Sequence, residues 1–345
     1  MNNKQTHVLM SGWARSGANL TGSIINAHSN ASFSVDVLKY MNFCFKRYPE
    51  IDDSNIITML NEMHLRLRAR FSIDFNIDYC ITSAHGNFSH ENMYKVLTSH
   101  IVDHDKNSPI IGESEVVAWG GISYFLDHIK NSKAIMILRD PRDVLVSFKK
   151  NTIATGNDYL ISVFNSLSSM KSWLDYEKAY PERFHGVRFE DLKFNPESIA
   201  HGITNFLDIE FESSMLESQN WKKLRGGDWK EWENHNSSSF RDNDKLKVIP
   251  VGRWRSLIDP VDHFICEWIA GDAMELFNIE REFQNPSVEI LKAAVERLMS
   301  SPLLREAFLN YIYSNEGSEK YPLDPTNPTN WDKRFIDNKG LLGLE

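Results

Sequence analysis

Cysteine is scarce in this chain. Cys44, Cys80 and Cys266 are the three in 345 residues. A small, odd number argues against a disulfide framework and reads as reduced, buried thiols. No run approaches the ~20 apolar residues of a membrane span. The amino-terminal stretch MNNKQTHVLM lacks the pattern of a secretory leader. A cytoplasmic protein without membrane contact is the expectation. Positive charge is short as well. A net charge of −9 argues against a general nucleic-acid binder, whose surfaces are basic, but leaves room for a local basic pocket. No His/Cys cluster has metal-ligand spacing, so no metal is expected. What remains, 41% hydrophobic and 25% charged residues, is ordinary for a globular protein, so the chain can bury a large core.

One further absence is more specific. Ser11 to Leu20, SGWARSGANL, has the Gly-x4-Gly frame of a P-loop in Gly12 and Gly17. Yet Ala18 stands where a nucleotide-hydrolysing loop has its Lys, and Asn19 where it has the Ser/Thr that holds Mg²⁺. An apolar strand leads in and a helical run leads out. Backbone N–H groups at such a helix start cradle phosphate. The loop therefore suits a phosphorylated nucleotide without a bound metal, with Arg15 as its cation. A second element, KAIMILRDPRDVLVSFK over Lys133–Lys149, sets Arg139 at a strand end and Ser147 two turns into the next helix. Both are in reach of a single phosphate. Asp140 and Pro141 suit the helix start, and Arg142 reads as facing Asp143 or solvent.

Together these elements resemble the sulfotransferases that use 3′-phosphoadenosine 5′-phosphosulfate (PAPS). Their (Arg/Lys)-Ser-Gly-Thr-Thr loop binds the 5′-phosphosulfate, and Arg15, Ser16 and Gly17 match it, with Ala18 and Asn19 in place of the two Thr. Their Arg-x7-Ser element for the 3′-phosphate is matched by Arg139 and Ser147. VRFEDLKFNP (Val187–Pro196) and VGRWR (Val251–Arg255) resemble two later family motifs. The four lie in order over roughly residues 7–260. The resemblance implies a P-loop nucleotide-kinase-like α/β fold, three layers around a central parallel sheet. It implies PAPS as donor and adenosine 3′,5′-bisphosphate as product. The alternatives are a P-loop kinase or NTPase, against which the missing Lys and Mg²⁺ ligand argue, and a non-catalytic nucleotide-binding protein.

The strand pattern reads as 7–11, 78–83, 109–113, 134–138 and 184–188. Helical runs lie near 19–28, 54–68, 90–104, 119–130, 142–150, 158–179, 196–207, 261–277 and 286–311. Alternation of the two implies a parallel sheet covered on both faces, with ligands at the strands' carboxyl ends. Residues 1–283 read as the sulfotransferase domain and 284–345 as a helix and irregular tail. The stripe Val288, Leu291, Val295 and Leu298 packs on the domain or forms a homodimer. Residues 210–250, with Trp221, Trp229 and Trp232, read as a lid or as an insertion packed by its tryptophans. The Pro-rich stretch Tyr321–Asn330 is the tail.

In sulfuryl transfer, negative charge grows on the departing bridging oxygen, and a fixed cation there stabilises the transition state. Arg15 is the candidate. Ser16, Gly17, Ala18, Asn19 and Leu20 complete the phosphate loop, with Thr21 a weaker substitute for a missing hydroxyl. Arg139 and Ser147 hold the 3′-phosphate, and Lys247, Gly252 and Arg253 add contacts near the late motif. The resemblance puts Phe189 against adenine, and a core aromatic is the competing reading. For the general base, local resemblance to the tyrosylprotein sulfotransferases sets Asp36 on their catalytic carboxylate; the competing reading is a helix cap before Val37–Phe45. Glu115 and Glu113 compete, on one face of a strand, as does His85. Family members carry a Lys near Ser114 that is absent here. With Asp36, Glu113 and Glu115 converging, the acceptor side is acidic. That suggests a small cationic acceptor, an amine- or guanidinium-bearing metabolite of secondary metabolism, with a peptide or carbohydrate as the alternative.

Overall fold

The structure, a computed structural model, describes residues 5–104, 106–151, 154–221, 251–283 and 285–320. Five strands, β1 (Thr6–Gly12), β2 (Ala31–Val35), β3 (Ile110–Val116), β4 (Ser132–Leu138) and β5 (Phe184–Arg188), form one sheet in the order β2-β3-β1-β4-β5. All pairings are parallel, and central β1 sets Leu9 between Glu113 of β3 and Ala134 of β4. The helices in chain order are α1 (Ala18–Asn26), α2 (Ile56–Phe71), α3 (Ile77–Ser83), α4 (His90–Leu97), α5 (Ile122–His128), α6 (Pro141–Asn151) and α7 (Ile161–Ala179). There follow α8 (Phe189–Phe194), α9 (Pro196–Leu207), α10 (Trp254–Leu257), α11 (Pro260–Leu276), α12 (Val288–Leu298) and α13 (Pro302–Ser314).

Side-chain alternation along the strands builds two cores. Val8 and Met10 of β1, with Ile135 and Ile137 of β4, pack under α1, α8 and α9. Leu9, Ala134, Met136 and Leu138 face the other way, into the larger core. The result is the three-layer fold that the sequence implies. Parallel strands buried on both faces need apolar residues at every position, which β4 supplies as AIMIL.

Three elements differ from the sequence reading. Residues 78–83 form helix α3, because Asn76 caps it, accepting from Tyr79 N–H at 2.9 Å, and only its Cys80 side is buried. The edge strand is instead β2, ASFSV, whose serines hide its period. Ser32 and Ser34 are buried because each finds a hydrogen bond, Ser32 with Ser108 at 3.0 Å and Ser34 from Leu38 N–H at 2.9 Å. The run 286–311 is two helices. Pro302 cannot continue α12, and Ser301 caps α13 by accepting from Leu304 N–H.

The carboxy-terminal helices join the larger core. Ala294, Leu298, Leu304, Ala307 and Phe308 pack with residues of α7 and α11. The buried stripe of α12 runs through Ile290, Ala294 and Leu298, so Val288, Leu291 and Val295 of the expected stripe are exposed. Prediction: Leu298→Ala, which empties a fully buried position, lowers stability by about 3 kcal/mol, read as a lower urea midpoint in a single transition. Two separated transitions would instead mark the last two helices as an independent unit.

Candidate active site

The loop after β1 is built from its own backbone. Trp13 is buried and packs edge-on against Trp119 at 5.5 Å. Ser16 N–H donates to Trp13 O at 3.2 Å. Arg15 (φ 72°) and Gly17 (φ 105°) are both left-handed, which turns the chain into α1. Position 17 requires glycine, since a Cβ there would run into the Phe189 ring. No side chain caps α1. Its first N–H groups, on Ala18, Asn19 and Leu20, have no intrahelical acceptor. Asn19 Oδ1 is buried without a hydrogen-bond partner. An uncapped helix start, a buried side-chain amide without its full bonding and an adjoining guanidinium fit a phosphate-bearing donor. The Thr21 hydroxyl does not add to this, because it turns back onto Gly17 O at 3.3 Å.

The second motif closes on the first. Arg15 Nε donates to Ser147 Oγ at 3.0 Å, and Arg139 Nη1 donates to Arg15 O at 3.3 Å. Arg139 pairs with buried Asp143 at 3.2 Å, and its guanidinium lies 4.5 Å from the Phe189 ring centre. Asp143 also accepts from Gly252 N–H at 2.8 Å and Trp254 N–H at 3.0 Å. The fold thus gathers residues 15–20, 139, 147, 189 and 252–253 at the carboxyl ends of β1, β4 and β5. Lys247, Trp229, Trp232 and the tail from Tyr321 lie outside the described residues.

Several readings change here. Phe189 is buried between Gly17 and Arg139, so its ring packs the loop rather than offering a face to adenine. Arg142 does not face Asp143 or solvent. It is buried, pairs with Asp140 at 2.8 Å and Glu267 at 2.6 Å, and stacks on Trp254. Of the proposed lid, Trp221 is a core side chain, with its Nε1–H donated to Met215 O at 2.8 Å. His85 sits exposed beyond α3 rather than at a strand end.

On the other side of β1, the carboxyl ends of β3 and β2 carry the acidic residues. Glu113 and Glu115 share one face of β3, as expected, and both are turned into the interior. Both are fully buried beneath the helical turn Met41–Phe45. Glu115 accepts from Met41 N–H at 2.9 Å and Asn42 N–H at 2.7 Å, and Glu113 from Tyr40 N–H at 3.2 Å. They cap this turn from a neighbouring strand. Buried Arg66 grips the same segment, donating to Val37 O at 2.5 Å and to Leu38 O. Ser114 faces the opposite way and donates to Ala18 O at 3.2 Å. Helix α1 lies directly over it, which leaves no room for a lysine.

Asp36 stands beside this capped turn. It lies just past β2, left-handed at φ 60°, with its N–H donated to Ser114 O at 2.8 Å. Lys39, also left-handed at φ 55°, pairs with it at 2.9 Å. Lys39, Arg66 and Asp143 escape a reading of motifs. Asp143 had a signal, four residues after Arg139 on a helix, whereas Arg66 and Lys39 depend on turns that sequence does not announce. Among the described residues, no group of His, Cys, Asp or Glu is set to hold a metal, and no helix is long and apolar enough to cross a membrane.

Burial raises both glutamates, Glu115 to about 7 and Glu113 well above the usual carboxylate range, with Glu115's charge pushing Glu113 further. Glu115, with the shorter bonds, carries the pair's charge. Carboxyl groups raised on folding stabilise fully below the unfolded value and lose that contribution as pH rises through the folded one. Prediction: wild-type stability falls between about pH 4.5 and about 7, and Glu115→Gln flattens that decline in urea titrations. An unchanged slope would contradict the assignment.

Residues 5–262 match the family model described as "Sulfotransferase domain". The sulfotransferase domain from the Synechococcus PCC 7002 olefin synthase is similar over 82% of this chain and 96% of its own, at 18% identity and a TM-score of 0.51. The sulfotransferase domain from the curacin biosynthetic pathway is similar over 81% of this chain and 99% of its own, at 17% identity and a TM-score of 0.53. At such identities these likenesses speak for the fold. None of the curated proteins matches the chain. The family match spans about three quarters of the residues, including the Arg15 loop, Arg139, Ser147 and the Gly252 turn, and the chain belongs to the sulfotransferase domain family.

Proposed function

We propose that this enzyme moves a sulfuryl group from PAPS to a hydroxyl or nitrogen of a small cationic metabolite, in secondary metabolism. The observation that carries the donor side is the uncapped start of α1 beside Arg15, joined through Ser147 and Arg139 to the Asp143 turn. Residues Arg15 to Leu20 hold the 5′-phosphosulfate end. Arg139, Ser147, Gly252 and Arg253 serve the 3′-phosphate, with Lys247 beside them. One neighbour named above is a domain of an olefin synthase and the other belongs to the curacin biosynthetic pathway, which supports a biosynthetic setting.

The donor supplies an activated sulfuryl group. An acceptor electron pair forms the new bond to sulfur while the bridging S–O bond breaks toward the 5′-phosphate. Arg15 neutralises the oxygen that takes that electron pair. The acceptor's proton goes to Asp36, which lies two strand spacings from β1, about 10 Å away. The acceptor fills that gap. Lys39 acts as a positioning residue, fixing Asp36 by their ion pair and adding positive charge on the side where Ser114 has none. No metal is needed for these steps. Residues 284–345 are read as an extension beyond the catalytic domain. Exposed Val288, Leu291 and Val295 support a meeting of two copies through α12.

Prediction: adenosine 3′,5′-bisphosphate raises the melting temperature, and AMP does so much less, because Arg139 and Ser147 need the 3′-phosphate. Equal shifts would overturn the donor assignment. Prediction: Arg15→Ala lowers kcat by roughly 10²–10³-fold. Asp36→Asn lowers it by roughly 10²-fold or more with nucleotide affinity intact, measured by single-turnover kinetics and calorimetry. A near-normal rate for Asp36→Asn would remove it as the base.

A further inference from the structure

The segment after α13 lies beyond the family match, yet it returns to the sheet's carboxyl end. Asn315, at φ 57°, ends the helix, and residues 316–320 run back along α7. Ser318 N–H donates to Phe164 O at 3.1 Å, Asn165 Nδ2 to Lys320 O at 2.5 Å and Asn310 Nδ2 to Gly317 O at 3.3 Å. Lys171 pairs with Glu316 at 3.2 Å, and Lys320 pairs with Glu306. Gly317 lies so close to α7 that a Cβ would run into Phe164 O and Ser168 N. Contacts on this scale fix a strap rather than trail a tail.

The strap delivers one side chain to the loop after β3. The Glu319 carboxylate lies against Gly120, where a Cβ would meet both of its oxygens. Gly120 follows Trp119, whose ring touches Trp13 two residues before Arg15. A Cβ on Gly121 would come 3.1 Å from Met41, on the turn that Glu115 caps. Glu319 therefore stands at the rim of the β3 and β2 loops, opposite the side where Arg139 and Ser147 lie.

The acidic groups here differ in how they are matched. Glu113 and Glu115 are bonded to backbone N–H groups, and Asp36 to Lys39. Glu319 has neither hydrogen bond nor ion pair among the described residues. The side chain is exposed on one side, and its packing against Gly120 removes part of its water, which raises its carboxyl above the usual range, with Lys46 acting in the other direction. A carboxylate stripped of part of its water and given no partner gains from a cation brought beside it.

We propose that the 315–320 strap forms one wall of the acceptor site and that Glu319 selects acceptors by receiving their ammonium or guanidinium group. This rests on the sulfotransferase reading above, and it moves the origin of cation preference from the β3 glutamates to the strap. A neutral acceptor of equal shape leaves Glu319 unmatched.

The test uses two pairs of probes that differ in charge: choline against 3,3-dimethyl-1-butanol, and tyramine against 4-ethylphenol. Their binding to the full chain loaded with adenosine 3′,5′-bisphosphate is measured by calorimetry, after nucleotide affinity itself. The wild type is expected to favour each cation by about fivefold, the scale of a part-exposed ion pair. Glu319→Gln abolishes that preference and Glu319→Lys reverses it, while nucleotide affinity stays unchanged in both. Gly317→Val, which pushes the strap off α7, abolishes it as Glu319→Gln does. Equal binding of both members by the wild type, or a preference that persists in Glu319→Gln, overturns the role of Glu319. Failure of the wild type to bind the nucleotide overturns the site reading beneath it.

Discussion

A single buried carboxylate ties the donor side together. Asp143 is shut off from water and must find partners for its charge. It takes the Arg139 guanidinium and the N–H groups of Gly252 and Trp254. Those three donors come from a strand end and from a turn more than a hundred residues later. Arg139, so held, lies over Phe189 and donates to the backbone of Arg15. The phosphate loop, the strand-end motif and the late glycine turn are therefore joined through one charge. Arg142 does the parallel task one layer deeper, linking Asp140, Glu267 and Trp254. Replacing such a network piecemeal strands a buried charge, so its members depend on one another.

The same logic runs on the other side of β1. Two buried glutamates on β3 find N–H groups at the start of a helical turn, where the helix is short of acceptors. Arg66 holds the carbonyls just before it. Three buried charged groups thus fasten the segment 37–42, and that fastening maintains the left-handed backbone at Asp36 and Lys39. Non-glycine residues stay in that region when their surroundings over-determine them. The consequence is an Asp–Lys pair at a defined position on the sheet edge.

The carboxy-terminal helices contribute by packing and by reach. Their inner residues complete the larger core beside α7 and α11. The strap that follows carries Glu319 to the loop after β3. A segment outside the family match thereby reaches the loop after β3.

The sequence by itself determined the fold class and the loop that follows the first strand. Strands read from AIMIL and HVLM lie where the sheet has them, because parallel strands buried on both faces must be apolar at each position. The Gly-x4-Gly loop was legible because backbone geometry demands glycine locally, as the left-handed φ of 105° at Gly17 shows. The β2 strand was not, since Ser32 and Ser34 are buried through distant hydrogen bonds that leave no apolar period. Residues 78–83 looked extended because β-branched Ile81 and Thr82 outweighed the Asn76 cap. Tertiary structure alone decided what each acidic residue does. Glu113, Glu115, Asp36 and Glu319 are alike as carboxylates. Their partners are a helix start, a lysine in a left-handed turn and, for Glu319, none among the described residues, and these are set by chain segments far apart in sequence. A charged group's role follows from what compensates its charge, and only the folded chain brings that compensation within reach.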